Sequence, residues 1–186
     1  MIKPPILETA RLRLRPVKTS DAPSIGKFAG AREIADTMIS IPHPYPPEEA
    51  KQYVARQQAE QKEGHAVAFT IRQKSDGLFC GLIEVRTIDH EHLTGELSFW
   101  LAVEWWGHGY MSEAIPAVVQ YGFEDLGLNR LYAFHMMRNP ACGRLLQKSG
   151  FKQEGVLRQC VQKWGQFEDV ALQAILKKEW RKDSGK

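Results

Sequence analysis

The sequence has few cysteines, no long apolar run and no strong excess of charge of either sign. Its three cysteines, Cys80, Cys142 and Cys160, are odd in number and widely spaced, which argues against a disulfide framework and predicts a reducing, cytoplasmic location. No segment approaches the roughly 18 apolar residues that span a membrane, and the first residues lack a signal-peptide core. The formal net charge is only +3, so we expect no membrane and no direct nucleic acid partner.

The common metal-binding patterns are also missing. Neither Cys-x-x-Cys nor His-Glu-x-x-His occurs, and we expect no metal. The length of 186 residues suits one domain with a continuous core. We therefore expect a single domain over residues 1–186, with a charged, frayed tail from about residue 178.

Alternating elements predict an α/β fold, a mixed sheet of about seven strands flanked by about four helices. Ser75-Asp76-Gly77 is typical of a hairpin turn, and four prolines within 41–47 exclude regular structure there. Strands are expected near 12–16, 65–73, 78–88, 94–103, 130–137, 151–161 and 167–177, and helices near 21–30 (with a helical piece over 31–38), 47–63, 111–126 and 140–149. The segment 94–137 is then a right-handed βαβ unit.

The most informative segment is the turn at Gly107-His108-Gly109, between a predicted strand and a predicted helix. Backbone N–H groups converge at a helix N-terminus, so the turn predicts a phosphate site. A Walker-type loop is excluded because Tyr110 follows Gly109 in place of Lys. A dinucleotide fingerprint is weak because Ser112 stands where its third glycine belongs. Glycines that serve only the shape of the turn remain the alternative.

Four segments, in this order, give the turn a wider context. They are GELSFWL at 95–101, WGHGYMSEA at 106–114, FEDLGLNR at 123–130 and NPACGRLLQKSGF at 139–151; LRLRP at 12–16 and Asp169 agree with them. Together they resemble the GNAT acyl-CoA N-acyltransferase superfamily, and within it the RimJ/RimL-like branch, which acetylates protein N-termini. The resemblance covers nearly the whole chain.

The resemblance implies a GNAT-like fold in which a splayed parallel strand pair holds the pantetheine arm of acetyl-CoA. It implies that Leu101, Ala102 and Val103 offer backbone groups to that arm and that Asn139 bonds it. Arg144 would approach the adenosine phosphate, unless it is a solvated charge. The diphosphate would contact the amides of Trp106, Gly107, His108, Gly109, Tyr110, Met111 and Ser112. Trp106 and Met111 depart from the family pattern, which usually has Arg or Gln and then Gly or Ala.

The chemistry requires a base, because an amine arrives as an ammonium. Glu96 on the cofactor strand is the candidate, with a structural salt bridge to an arginine as the alternative. The tyrosine acid of many members is missing, since Leu145 and Leu146 occupy its stretch. Cys142, where the branch often has serine, is the candidate proton relay, with simple packing as the alternative.

The acceptor pocket is expected to include Tyr45, Glu84 and Trp100 as substrate-binding residues, and the hairpin with Trp164 and Phe167. The chain is interpreted as an acetyl-CoA-dependent N-acetyltransferase acting on a primary amine, foremost a protein or peptide N-terminal α-amine. A small amine (a polyamine, amino acid or antibiotic) is one alternative acceptor, and a non-catalytic acyl-CoA sensor is a rival of another class. An acidic pocket would favour a polyamine. Exposed C-terminal strands would permit a homodimer.

Overall fold

A mixed eight-stranded sheet forms the centre of the computed structural model, which describes residues 4–183, with side chains to residue 180. The sheet has the order β1-β2-β3-β4-β5-β6-β8-β7, and only β5 and β6 run parallel. The strands are β1 (Leu7–Glu8), β2 (Leu12–Pro16), β3 (Val67–Gln73), β4 (Phe79–Asp89), β5 (Thr94–Leu101), β6 (Arg130–Met136), β7 (Lys152–Lys163) and β8 (Gln166–Leu176).

Six helices flank the sheet within the described part of the chain: α1 (Ala22–Ala29), α2 (Arg32–Thr37), α3 (Glu49–Glu63), α4 (Tyr110–Glu124), α5 (Pro140–Lys148) and α6 (Lys177–Asp183). Short 3₁₀ turns occupy Thr19–Asp21 and Val103–Trp105. The expected mixed sheet is confirmed; the short strand β1 and the helix α6 are additional elements. Over residues 4–183, no helix combines the length and the apolar character that crossing a membrane requires.

Alternation along the strands decides which side chains enter the core. Leu12 and Leu14 are fully buried, whereas Arg13 between them is exposed, as the period of two requires. The predicted hairpin between β3 and β4 is present, and Gly77 in its turn has φ +74°. A positive φ favours glycine, so the turn chemistry read from the sequence is confirmed.

The C-terminal segment differs from the expected frayed tail. Residues Lys177–Asp183 form a helix, while 184–186 lie outside the described residues. The Trp180 ring lies 5.6 Å from the ring of Phe123, and the Glu179 carboxylate lies 2.6 Å from Lys152 Nζ. These contacts tie the helix to α4 and β7. High charge density suggested a solvated tail, but a single tryptophan anchors the segment on apolar surface.

The parallel pair separates after only three residues of pairing. Thr94, Gly95 and Glu96 pair with 130–132 of β6. Beyond them β5 stays paired with β4 up to Leu101, and β6 stays paired with β8 up to Met136. Because each strand follows its outer neighbour, a gap opens between 97–101 and 133–136. The splayed strand pair is therefore confirmed.

Candidate active site

Along the gap, the edge of β5 carries backbone groups that pair with no neighbouring strand, although the Leu101 carbonyl accepts a hydrogen bond from the Trp106 indole. The N–H of Ala102 donates to the carbonyl of Cys80 at 2.8 Å, so Leu101 forms a non-hydrogen-bonded pair with Gly81. In an antiparallel ladder such residues direct their backbone groups away from that neighbour. The backbone groups of Leu101 and, by alternation, of Phe99 therefore face the gap. The prediction for Ala102 was wrong in this respect, because its N–H already belongs to the sheet.

The glycine turn presents a row of backbone donors. Gly107 has φ +78° and Gly109 has φ +76°, conformations that glycine adopts without steric cost. Within the described residues, none of the six N–H groups from Gly107 to Ser112 has a protein acceptor, and Glu113 is the first to donate, to Gly109 O at 3.2 Å. Six free donors at the start of the 15-residue helix α4 form a cradle for an anion.

Arg11 holds this turn from outside. Its guanidinium donates to the carbonyl of His108 at 3.0 Å and lies 4.8 Å from the centre of the Tyr110 ring. It also pairs with Glu113 at 2.7 Å. Burial by itself would raise the pKa of Glu113, but hydrogen bonds from Thr9 and Arg11 outweigh it and lower that pKa. The carboxylate is thereby held by Thr9 and Arg11, which lie in the connection between β1 and β2.

A first cavity of about 460 Å³ fills the gap between β5, β6, α4 and α5. Ala102, Val103, His108 and Arg144 do not line it, and Arg144 is exposed on α5. Trp106 turns its indole back, donating to Leu101 O at 2.8 Å. The predicted residues that do line the cavity are Glu96, Trp100, Leu101, Trp106, Gly107, Gly109, Tyr110, Met111, Ser112, Asn139 and Cys142.

Asn139 and Cys142 meet at the start of α5. Asn139 caps the helix by accepting the N–H of Cys142 at 3.2 Å, a common role for asparagine. Burial raises the pKa of the Cys142 thiol to about 12, whereas the proton relay required a value near that of a free thiol. A thiol with a raised pKa releases its proton less readily, which favours packing as the simpler role, and a proton relay through Cys142 stays a prediction.

A second cavity of about 440 Å³ lies between α1, α3 and the strands β4 and β5. Tyr45, Glu84 and Trp100 all line it, so the three residues predicted for the acceptor lie together. The cavities share one wall, which consists of Met38, Ser40, Arg86, Glu96, Ser98, Phe99 and Trp100. The two spaces therefore meet at the stretch of β5 from which the strands diverge.

Carboxylates surround one arginine at this junction. Arg86 lies 2.6 Å from Glu96 and 3.5 Å from Glu84, and the Tyr53 hydroxyl donates to Glu84 at 2.8 Å. Burial raises the pKa of Glu84 above its usual value, although Arg86 and Tyr53 lower it in part. The salt bridge to an arginine that was the alternative role for Glu96 is therefore present. Glu96 also lines both cavities, so both roles stay open.

The comparisons with known proteins agree with this geometry. The family model described as "Acetyltransferase (GNAT) domain" matches residues 11–152. The chain belongs to the GNAT acetyltransferase family. The uncharacterized N-acetyltransferase YoaA of Bacillus subtilis is 33% identical over 178 residues, covering 93% of this chain and 97% of YoaA.

Solved GNAT structures share the fold. RimL, a ribosomal L7/L12 alpha-N-protein acetyltransferase in complex with coenzyme A, has TM-score 0.86 at 18% identity and covers 92% of this chain and 98% of its own. Spermidine N-acetyltransferase from Vibrio cholerae, in complex with CoA and spermine, has TM-score 0.82 at 23% identity. The match covers 91% of this chain and 98% of the spermidine enzyme. The resemblance read from the sequence is confirmed, and this GNAT protein is an acetyl-CoA-dependent N-acetyltransferase.

In this GNAT chain the segment 38–41 closes both cavities and is held by a buried lysine. The ammonium of Lys163 donates to the carbonyls of Met38 at 2.8 Å and Ile41 at 2.6 Å. Trp164 beside it donates to Asp36 at 2.8 Å. The hairpin between β7 and β8 therefore supports the wall from behind. Trp164 and Phe167 line neither cavity, so their part in the acceptor pocket stays a prediction.

Replacing Lys163 with methionine should lower the free energy of unfolding by about 1–3 kcal/mol, because the carbonyls of Met38 and Ile41 lose their donor. Acceptor KM should rise more than kcat falls, since the wall and not the reacting atoms is disturbed. Urea denaturation and steady-state kinetics measure the two effects. Lys148→Met, at an exposed position of α5, is the control. Equal stability of both variants would contradict the role of Lys163.

Cysteine alkylation checks the raised pKa of the partly buried Cys142 thiol. With a pKa of about 12, about one thiol in ten thousand is ionised at pH 8. Iodoacetamide at pH 8 should therefore label the exposed Cys160 and spare Cys142 and the buried Cys80, whereas all three react in urea. Peptide mapping by mass spectrometry gives the result, and equally fast labelling of Cys142 and Cys160 in the folded protein would contradict it.

Sequence reasoning missed most polar residues of the second cavity, among them Tyr53, Gln57 and Glu60, and did not select Arg86 or Arg11. The first three follow one another at helical spacing on α3, and that spacing was a usable signal. Arg11 and Arg86 act through partners that are distant or on a neighbouring strand. Over the described residues, no group of three or more His, Cys, Asp or Glu side chains is placed to hold a metal ion.

Proposed function

We propose that this N-acetyltransferase acetylates a primary amine that reaches the thioester through the second cavity. The observation that carries the proposal is the shared wall of the two cavities at Glu96–Trp100. One space has the anion cradle and the strand gap, and the other has carboxylates suited to an ammonium. An acetyl donor and an amine that enter from opposite sides of β5 would meet at this wall.

Acetyl-CoA supplies an activated acetyl thioester, and this chain's residues fit it. We assign the diphosphate to the six free N–H groups from Gly107 to Ser112, where backbone dipoles and the helix N-terminus favour negative charge. The pantetheine arm lies along the backbone of Phe99 and Leu101 and beside Asn139, in the gap of the splayed strands. We assign Arg144 to the adenosine phosphate; this assignment has the least structural support, because the residue is exposed and does not line the first cavity.

For the chemistry we assign the base to Glu96. The ammonium of the acceptor loses a proton to this carboxylate, directly or through water, and the amine nitrogen then bonds to the acetyl carbon as the C–S bond breaks. Arg86 keeps the carboxylate oriented at 2.6 Å. A backbone N–H at Phe99 or Leu101 is suited to stabilise negative charge on the carbonyl oxygen. The leaving thiolate is a weak base, since a free thiol has a pKa near 8.5, so we propose that it departs as the anion and takes up a proton from bulk solvent.

Two acceptor classes are candidates for this site. A protein or peptide α-amine is supported by the likeness to RimL, which acts on ribosomal L7/L12. A small amine is supported by the acidic side chains Glu49, Glu60, Glu84 and Glu96 around a cavity of limited volume.

A non-catalytic acyl-CoA sensor is the rival of another class. A homodimer through the edge strand β7 and a cytoplasmic location stay predictions.

A thiol-release assay with acetyl-CoA and a panel of amines tests the proposed function. The panel contains a monoamine, a diamine, an amino acid amide and a short peptide with a free N-terminus. Release of CoA thiol that depends on at least one amine is the expected result. Binding of CoA in calorimetry without release for any amine would overturn the proposal and favour the sensor.

A further inference from the structure

Beside Ala50 and Val54, which are buried in the core, α3 carries a stripe of polar residues that borders the second cavity. Its residues recur at i, i+4, i+7, i+8 and i+11, which is one face of a helix. All five line the second cavity: Glu49, Tyr53, Arg56, Gln57 and Glu60. Gln57 is buried, Glu49, Tyr53 and Glu60 are partly buried, and Arg56 is exposed. A cavity with such a polar lining favours a polar ligand.

The side-chain oxygen of Gln57 is an unsatisfied hydrogen-bond acceptor in this cavity. Only 7% of the residue is exposed, and its Oε1 atom has no hydrogen-bond partner among the described residues. Buried side-chain oxygens in folded proteins nearly always accept a hydrogen bond. An N–H donor on a ligand that occupies the cavity would supply it.

The charges around Gln57 leave a surplus of carboxylate. Arg56 pairs with Glu49 at 2.7 Å, and Arg86 is closest to Glu96 at 2.6 Å. Glu60 has no ion-pair partner in the part of the chain that the structure describes. Glu84 has only the more distant approach of Arg86 at 3.5 Å. Burial is the largest cause of the raised pKa of Glu84, and the charges of Glu96 and Glu60 raise it further, as expected for carboxylates that line one cavity.

We propose that Gln57, Glu60 and Glu84 bind a second nitrogen cation of the acceptor, while its reacting amine lies at Glu96. The inference rests on the proposed function. It assigns the site to an aliphatic diamine or polyamine in preference to a monoamine of the same length or a peptide. A remote ammonium would satisfy Gln57 Oε1 and the unbalanced carboxylates together, whereas a methyl end would leave them unpaired.

The test compares kcat/KM for diaminobutane and butylamine in the thiol-release assay, with a short peptide as a third acceptor. The wild-type chain should prefer the diamine by at least about tenfold, as expected for a desolvated charged contact. Gln57→Leu and Glu60→Gln should each reduce this preference severalfold, mainly through KM for the diamine, with little change for butylamine. Glu63→Gln is the matched control, because its side chain on the same helix is 65% exposed.

Several outcomes would overturn the inference. Equal efficiency for diamine and monoamine, or a better reaction with the peptide, would contradict it while leaving the proposed function standing. So would an unchanged preference in both variants, each shown by thermal melting to be folded. If no amine releases thiol although CoA binds, the proposed function fails and the inference fails with it. Glu60→Gln keeps the shape of the side chain, so it decides the case if Gln57→Leu disturbs folding.

Discussion

Replacing Gly107 with valine is expected to weaken CoA binding by about 10- to 100-fold. Gly107 has φ +78°, and holding a branched residue there costs about 1–3 kcal/mol. No protein atom lies within 4 Å of the position of an added Cβ. The change therefore acts through the backbone of the turn, whose relaxation moves the N–H groups that form the anion cradle. Isothermal titration calorimetry with CoA measures the loss.

Gly77→Val is the matched control for this experiment. Gly77 has φ +74° and equally open surroundings, but it lies in the hairpin between β3 and β4. Both variants should lose similar stability, and only Gly107→Val should lose affinity for CoA. Unchanged affinity in a folded Gly107→Val protein would show that the diphosphate is held elsewhere.

Replacing Glu96 with glutamine is expected to lower kcat/KM by about 10²–10³-fold, the usual contribution of a positioned base. The substitution keeps the shape of the side chain but removes its negative charge and with it the proton acceptor, and it weakens the pair with Arg86. The decrease should appear in kcat, and a rise in pH should restore part of it as the free amine becomes more abundant. Stopped assays across pH with a saturating amine measure this.

The structural alternative for Glu96 makes a different prediction. If it serves only as the partner of Arg86 at 2.6 Å, Glu96→Gln lowers stability and leaves kcat and its pH profile unchanged. Glu91→Gln, at an exposed position in the connection between β4 and β5, is the control for loss of a charge. Full turnover by a folded Glu96→Gln protein would remove Glu96 from the mechanism.

The sequence predicted most of the fold because its signals are local. The turns at Gly77 and Gly107 follow from residue types that tolerate positive φ, and the strands from alternation such as Leu12 and Leu14 against Arg13. The helix at Lys177–Asp183 was not predicted, because it is stabilised by a tertiary contact of Trp180. Charge along the chain does not reveal such an anchor.

The candidate site was predictable where a motif fixes the backbone, and less so where it depends on long-range packing. The cradle follows from Gly107 and Gly109. By contrast, no local pattern shows that Lys163 reaches the carbonyl of Met38, 125 positions away. The high pKa of Cys142 likewise arises from burial, which a single sequence does not disclose.

A crystal structure of the complex with CoA tests the central claim most directly. The account predicts the diphosphate oxygens within about 3 Å of several backbone nitrogens between Gly107 and Ser112, the ordinary N–H···O distance. It also predicts the sulfur in the gap beside Phe99 and Leu101. A diphosphate bound by side chains away from this turn, with those six N–H groups facing solvent, would contradict it.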